Sequence, residues 1–121
     1  MDIKSILVAI DFSEFSRSAS ERAAMLRVLL NAHTVDLVTV KEAGLPATLA
    51  LVLKSTRASA EAILVDRAMR ELALISAHLE DNYGIHCTRT VRFEQPEREI
   101  VARADERRAD LTVIGEHGAI F

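Results

Sequence analysis

The sequence contains only one cysteine, Cys87, so no disulfide can form within the chain. It also has no excess of basic residues: the formal net charge is −3 and the arginines are scattered among acidic residues, which argues against nucleic-acid binding. No stretch approaches the roughly 18 uninterrupted apolar residues of a membrane span, and the N-terminus lacks the pattern of a signal peptide. We therefore predict a cytoplasmic protein without a membrane or nucleic-acid partner.

The composition that is present is typical of one folded domain. The chain has 121 residues, of which 50% are hydrophobic and 27% are charged. A chain of this length can bury a sizeable core. Because no repeat or linker interrupts it, we predict a single domain over residues 1–121.

Four segments have the patterns of β-strands. Residues 6–10 (ILVAI) and 111–114 (LTVI) are continuous apolar runs, typical of central parallel strands covered on both faces. Residues 35–40 (VDLVTV) are nearly as apolar. Residues 86–93 (HCTRTVRF) instead place polar side chains at every second position, with Cys87, Val91 and Phe93 on the other face, and this alternation predicts an edge strand.

Three helices are predicted between these strands. The first follows Ser13, a residue suited to an N-cap, and its apolar stripe contains Phe15, Ala19, Ala23, Leu26 and Leu30. The second spans residues 58–83, ends before a glycine suited to a left-handed cap, Gly84, and its apolar face contains Ala62, Val65, Met69, Leu72 and Leu79. The third begins at Pro96, has acidic residues in its first turn and few apolar ones, and ends near Arg107.

The alternation of strands and helices predicts a three-layer α/β/α fold with a doubly wound parallel sheet. An edge position for the third strand and central positions for the first and fourth give the strand order 3-2-1-4. Ligands of such sheets bind beyond the carboxyl ends of the strands, at the point where the strand order reverses. Asp11 and Gly115 follow the two strands at that point. We therefore expect both residues to belong to one site.

The glycines in this region, Gly115 and Gly118, are weak evidence by themselves. A glycine after a buried strand can let the backbone approach a ligand, and the second glycine can supply a backbone N–H to an anion. A plain turn explains an isolated G-x-x-G equally well. The stronger P-loop and Rossmann motifs are absent from the sequence.

Catalytic and metal sites find little support. Ser13, His117 and Asp11 could be drawn as a hydrolytic triad, but the G-x-S-x-G motif is absent. The clustered acidic residues of a phospho-accepting site are absent as well. The histidines near Cys87 lack the spacing of metal ligands, and the cysteine itself is expected to be a buried apolar residue.

Two segments resemble the universal stress protein (UspA-like) family. These are ILVAIDFSEFSRSASERAAML, residues 6–26, and RADLTVIGEHGA, residues 108–119. The order of strands and helices between them is also similar, so the resemblance spans essentially the whole chain. It implies a flavodoxin-like fold with the family strand order 3-2-1-4-5, and many members of that family bind ATP or AMP in the crevice described above.

The resemblance assigns roles to individual positions. It implies that Asp11 faces the adenine and ribose beside the Ala9 and Ile10 backbone, and that Val40 offers backbone groups to the adenine. It also implies that the first half of the loop over ribose and phosphate consists of Ile114, Gly115, His117 and Gly118. The family pattern continues with a G-[ST] pair and a fifth strand. Neither is present in this sequence of 121 residues.

The resemblance implies a sensor or regulator that binds ATP or AMP, with Mg²⁺ as the accompanying cation, and that hydrolyses ATP slowly at most. Without a fifth strand, the fourth is expected to be a sheet edge that promotes association. Three explanations stay open: the chain is a C-terminally incomplete fragment of a longer protein, it exchanges or shares an element with a second copy, or it dimerises edge to edge. We predict a homodimer or another homo-oligomer. The alternative is a dimerisation or interaction module of the same fold that binds no nucleotide. For the apolar segment 45–53, two interpretations stay open: a short helix or lid over the crevice or the second helix, or a partner-binding surface.

Overall fold

A computed structural model describes residues 3–41 and 57–115 of the chain. Four strands and three helices alternate within these residues. They are β1 (Ser5–Ala9), α1 (Glu14–Leu30), β2 (Thr34–Lys41), α2 (Arg57–Tyr83), β3 (Cys87–Phe93), α3 (Pro96–Arg107) and β4 (Leu111–Ile114). The apolar segment 45–53 and two predicted site residues, His117 and Gly118, lie outside the described residues.

The four strands form one parallel sheet in the order β3-β2-β1-β4, which confirms the predicted topology. β1 pairs with β2 on one side, where Ile6 lies opposite Val35, and with β4 on the other, where Ile6 lies opposite Leu111. β3 lies at an edge, as its alternating sequence predicted. β4 has an apolar pattern like that of the central strand β1, and it lies at the other edge of the described sheet, as the predicted order 3-2-1-4 requires.

Helices α1 and α2 cover the same face of the sheet, because both belong to right-handed crossovers that proceed in the same direction. Side chains from alternate positions of β1 and β2 point to this face and are fully buried. They form the main apolar core with residues of both helices and β4: Ile6, Val8, Ile10, Val35, Leu37, Ala19, Ala23, Ala24, Leu72, Leu79 and Val113.

The predicted apolar stripe of α1 is wrong at its ends. Phe15 and Leu30 are 59% and 46% exposed, whereas the small residues Ser16, Ala19, Ser20, Ala23 and Ala24 are buried. Small side chains let the helix backbone approach the sheet closely. The two buried hydroxyls donate hydrogen bonds to helix carbonyls, Ser16 Oγ to Ser13 O at 3.0 Å and Ser20 Oγ to Arg17 O at 2.7 Å, and so remain satisfied.

Helix α2 follows its predicted bounds closely and ends where Gly84 adopts a left-handed φ of 67°. Of the predicted apolar face, Leu72 and Leu79 are buried and Ala62 is exposed, so the interior contacts belong to the later turns. No helix in the described ranges is both long and apolar enough to cross a membrane.

Cys87 begins β3 and packs against the main core in a half-buried position. Burial raises the pKa of its thiol, although a hydrogen bond with Ser76 acts in the opposite direction. Over residues 3–41 and 57–115, no three His, Cys, Asp or Glu side chains gather as a metal site would require.

Helix α3 covers the opposite face of the sheet, where Leu7 and Val38 are fully buried and charged groups also join the helix to the strands. Asp36, in the middle of β2, is 1% exposed on this face. Its carboxylate accepts two hydrogen bonds from Arg103 of α3, at 2.7 Å from Nε and 3.1 Å from Nη2, and a third from Thr88 Oγ1 at 2.5 Å. The helix has no fully buried residue, so this bidentate ion pair is a principal attachment of α3 to the sheet.

A second group of charges continues the attachment along β3. Arg92 forms ion pairs with Glu106 and with Glu99, the latter at 3.6 Å. Arg107 Nη2 also lies 3.4 Å from Thr88 Oγ1. The polar positions of β3 that predicted an edge strand therefore face α3, while Cys87 and Val91 pack on the main core.

At the amino end of the sheet, Asp110 connects the first strand to the last. Its Oδ2 accepts the backbone N–H groups of Lys4 and Ser5 at 2.8 and 3.1 Å, and its own N–H donates to Ser5 O at 2.9 Å. The bond from Lys4 N–H, followed by that from Ser5, holds the pKa of the Asp110 carboxyl below its ordinary value of 3.8.

Substitution of Arg103 by Met should destabilise the protein strongly, because it leaves the buried Asp36 carboxylate without a cationic partner. The expected loss is about 3 kcal/mol of unfolding free energy, measured by urea denaturation. Replacing both partners, as Asp36→Leu with Arg103→Met, should recover part of it. Arg98→Met, at an exposed arginine of the same helix, is the matched control. Equal stability of the Arg103 and Arg98 variants would contradict the assignment.

Asp110→Asn should change how stability depends on pH. Because folding lowers the pKa of Asp110, the carboxylate stabilises the native state fully above its unfolded pKa of 3.8 and loses this effect as pH falls through the lower folded value. Urea denaturation at pH 6 and at pH 3 should therefore show a smaller difference between wild type and variant at the lower pH. A difference that grows towards pH 3 would contradict this assignment.

Candidate functional site

The carboxyl ends of β1 and β4 lie side by side, at the carboxyl-terminal edge of the sheet where the parallel strands end. Ala9, the last residue of β1, is opposite Ile114, the last residue of β4. Ile10 continues β1 by donating its N–H to Val38 O of β2 at 2.7 Å. β2 and β3 follow β1 on one side, whereas β4 pairs with β1 on the other side. The strand order therefore reverses between β1 and β4, as the sequence predicted.

Asp11 follows β1 directly, in a turn that leads into α1. Its Oδ1 accepts hydrogen bonds from Ser13 N at 2.9 Å and from Ser13 Oγ at 2.5 Å. Partial burial by itself would raise the pKa of Asp11, but the hydrogen bonds from the Ser13 side chain and backbone outweigh it and lower the pKa. Asp11 therefore presents an exposed, ionised carboxylate at the edge of the sheet.

Ser13 is the N-cap of α1, as predicted. While its hydroxyl donates to Asp11, the same oxygen accepts the N–H of Ser16 at 3.2 Å. Both hydrogen-bonding functions of this hydroxyl thus serve the turn and the helix. This arrangement gives Ser13 a structural role, because its hydroxyl proton is donated to Asp11 and its oxygen caps the helix.

Gly115 follows β4 and is buried against the first turn of α1. A Cβ placed on it would lie 2.4 Å from Ser16 Cα, 2.5 Å from Ser16 N and 2.8 Å from the Phe15 carbonyl carbon. The glycine was predicted to let the backbone approach a ligand. In the structure its missing side chain lets the end of β4 approach the first turn of α1. Gly115 and the Asp11 turn therefore lie at the same carboxyl-terminal edge of the sheet.

β2 extends further than β1 at this edge. The last residue of β1, Ala9, is paired with Val38, whereas β2 continues to Lys41. Val40 was predicted to end the strand but lies one residue before its end, paired with Arg92 on the β3 side. In the described sheet, residues 39–41 have no strand partner on the side of β1. The β2 backbone on that side therefore borders the crevice.

Phe12 is a residue that sequence analysis missed. It adopts a left-handed φ of 66°, a conformation that bulky side chains rarely take, and Lys41 Nζ lies 5.0 Å from its ring centroid. The D-F-S sequence contains a signal for this turn, because Asp11 and Ser13 can form the hydrogen bonds that hold the intervening residue. The contact with Lys41 depends on the tertiary structure and has no signal in the local sequence.

A cavity of about 410 Å³ opens between α1 and α2, and we call it the interhelical cleft. Its described lining combines apolar side chains from the β1 turn and α2 with charged side chains from both helices. The apolar residues are Phe12, Leu74 and Ile75, and the charged or titratable ones are Arg17, Glu21, Glu71 and His78. Of the predicted site residues, none that the structure describes lines this cleft.

The chain matches the family model described as the universal stress protein family over residues 2–120. The chain belongs to the universal stress protein family. A comparison with curated protein sequences finds no significant match.

Solved structures confirm the fold of this universal stress protein domain. The hypothetical protein MJ0577 is 24% identical, with a TM-score of 0.75, and the match covers 94% of this chain and 74% of that one. The universal stress protein UspA from Lactobacillus plantarum is 20% identical, with a TM-score of 0.68 and coverage of 94% and 77%. A universal stress protein in complex with cAMP is 19% identical, with a TM-score of 0.60 and coverage of 93% and 72%.

Gly115→Ala should destabilise this domain more than Gly84→Ala. The added methyl group at 115 meets helix backbone that cannot move aside, and overpacking of this kind costs about 3 kcal/mol. At Gly84 a methyl group meets nothing within 4 Å, so the cost should be only the roughly 1 kcal/mol of a left-handed conformation. Chemical denaturation of both variants measures the difference. Equal costs would contradict the close approach of β4 to α1.

Proposed function

We propose that this universal stress protein domain binds an adenine nucleotide, ATP with Mg²⁺ or AMP, as a sensor or regulator. The observation that carries the proposal is the position of Asp11 beside Gly115 at the carboxyl edge between β1 and β4. Crevices at this point of doubly wound sheets are where ligands bind. The structural neighbour in complex with cAMP supports nucleotide binding within the family.

The chemistry of the edge suits a nucleoside. The ionised carboxylate of Asp11 can accept hydrogen bonds from ribose hydroxyls or an adenine amino group. The backbone of β2 near Val40 has no strand partner on the β1 side among the described residues, and it can offer both a donor and an acceptor to the edge of the base, beside the backbone of Ala9 and Ile10. Ile114 would border the ribose, and we assign His117 and Gly118 to the phosphate side.

Binding rather than catalysis is proposed for two reasons. A carboxylate with a lowered pKa, such as that of Asp11, is a weak general base. The neighbouring hydroxyl of Ser13 is already engaged by Asp11 and by Ser16 N–H. Any ATP hydrolysis at this edge should therefore be slow, and the nucleotide would act by stabilising the folded state.

A second candidate function is a homodimeric interaction module that binds no nucleotide. Two observations favour it. β4 forms an edge of the described sheet, and unpaired strand edges promote association. Helix α1 also exposes Met25, Val28 and Leu29, which lie three or four residues apart near its C-terminus and so share one face.

Thermal melting with ATP and Mg²⁺, AMP, cAMP or GTP tests the first proposal. At a nucleotide concentration about a hundredfold above Kd, binding to the folded state alone adds ~2.7 kcal/mol, a rise in Tm of roughly 10 °C for a chain of this size. Adenine nucleotides should raise Tm more than GTP.

Asp11→Asn tests the site itself, because it keeps an acceptor for Ser13 and removes the charge. It should weaken adenine-nucleotide binding about tenfold or more, measured by calorimetry. Asp110→Asn is the matched control, since this aspartate also accepts backbone N–H groups but lies at the opposite end of the sheet. A similar loss in both variants would contradict the assignment of Asp11 to the site, and an unchanged Tm with every nucleotide at millimolar concentration would favour the interaction module.

A further inference from the structure

The interhelical cleft is separate from the edge that carries Asp11 and Gly115. It lies between α1 and α2, and the described residues that line it include neither of these two. A volume of about 410 Å³ lies within the range of roughly 300–1,000 Å³ that small-molecule sites occupy. Phe12 lines the cleft and immediately follows Asp11, so the ring marks the boundary between the two regions.

One positive group in the cleft has no ion-pair partner among the described residues. Glu21 pairs with His78, whose Nε2 lies 2.9 Å from Glu21 Oε1, and Glu71 pairs with Arg67 at 3.4 Å. Arg17, one turn into α1, forms no ion pair with any residue in 3–41 or 57–115. Both carboxylates of the cleft thus have partners within the protein, Glu21 the imidazole of His78 and Glu71 the guanidinium of Arg67, while the guanidinium of Arg17 is available to an anion.

The apolar part of the cleft is partly exposed. Leu74 is 74% exposed among the described residues, and Ile75 beside it is half-buried. Phe12, the third apolar residue, is held at a φ of 66°. Sparsely populated backbone conformations of this kind cluster at ligand clamps, because the surrounding structure must hold them in place.

We propose that the interhelical cleft binds a small amphipathic anion at a site distinct from the nucleotide crevice. The apolar body of the ligand lies on Phe12, Leu74 and Ile75, and its carboxylate or phosphate group pairs with the guanidinium of Arg17. An aromatic or branched aliphatic acid has the size and the charge that this lining recognises. The proposal does not depend on nucleotide binding, because neither Asp11 nor Gly115 takes part.

Three probes with the same ring system and different charges test this proposal: 2-naphthoate, 2-naphthamide and 2-naphthylmethylammonium. Titrations followed by ¹H–¹⁵N NMR should shift the amide signals of Arg17, Leu74 and His78. The naphthoate should bind at least tenfold more tightly than the ammonium, with the neutral amide between them. Equal affinities for the three probes, or shifts confined to other surfaces, would overturn the proposal.

Two variants locate the interaction. Arg17→Met should weaken naphthoate binding about tenfold and leave naphthamide binding unchanged, whereas Arg98→Met, on the opposite face, should change neither. Leu74→Asp places a carboxylate beside the ligand at an exposed position and should also weaken naphthoate binding. Melting temperatures verify that each variant is folded. Unchanged naphthoate affinity in folded Arg17→Met or Leu74→Asp protein would overturn the assignment.

Asp11→Asn separates this site from the nucleotide crevice. The variant should keep its naphthoate affinity, because its substituted side chain does not line the cleft. If naphthoate binding fails while adenine nucleotides still raise Tm, the cleft proposal alone is wrong. If nucleotides fail and naphthoate binds, the proposed nucleotide function alone is wrong. Competition of ATP with naphthoate would show one shared site and overturn the claim of a separate one.

Discussion

The missing side chain at Gly115 is the constraint on which the candidate site depends. Because no Cβ stands at this position, the end of β4 can lie against the backbone of Phe15 and Ser16 in the first turn of α1. The same turn begins at Ser13, which holds Asp11 by two hydrogen bonds. One close approach therefore positions the end of the fourth strand, the start of the first helix and the exposed carboxylate relative to one another.

The strand order could be predicted from the sequence, because the pattern of polar and apolar residues in a strand indicates which of its faces are buried. β3 carries polar residues at every second position and lies at an edge, while the continuous run of β1 lies between two strands. The predicted order 3-2-1-4 also placed β4 at the other edge, although its apolar run resembles that of β1, since such a run reports covered faces and not the number of strand neighbours. It also placed Asp11 and Gly115 at one edge correctly, because parallel strands bring their carboxyl ends together.

Other features could not be predicted because they depend on contacts between distant residues. The stripe of α1 was assigned to its large apolar side chains, yet the sheet is contacted by serines and alanines, and Phe15 and Leu30 remain exposed. A pattern of hydrophobic residues does not show how closely a helix approaches the sheet. Arg103 is 67 residues from Asp36, and no local pattern in either segment indicates that the two pair. The contact of Gly115 with the distant first turn of α1 could not be predicted for the same reason.

Ion pairs join α3 to the sheet beside the buried Leu7 and Val38, so salts should act on this layer differently from the layer under α1 and α2. A strongly hydrated anion such as sulfate is excluded from apolar surface and reinforces the layer packed under α1 and α2. The same salt screens the partly exposed pairs that Arg92 forms with Glu99 and Glu106 beneath α3, while the buried Asp36 is reached far less. The ionic strength of the surroundings therefore sets which of the two layers loosens first.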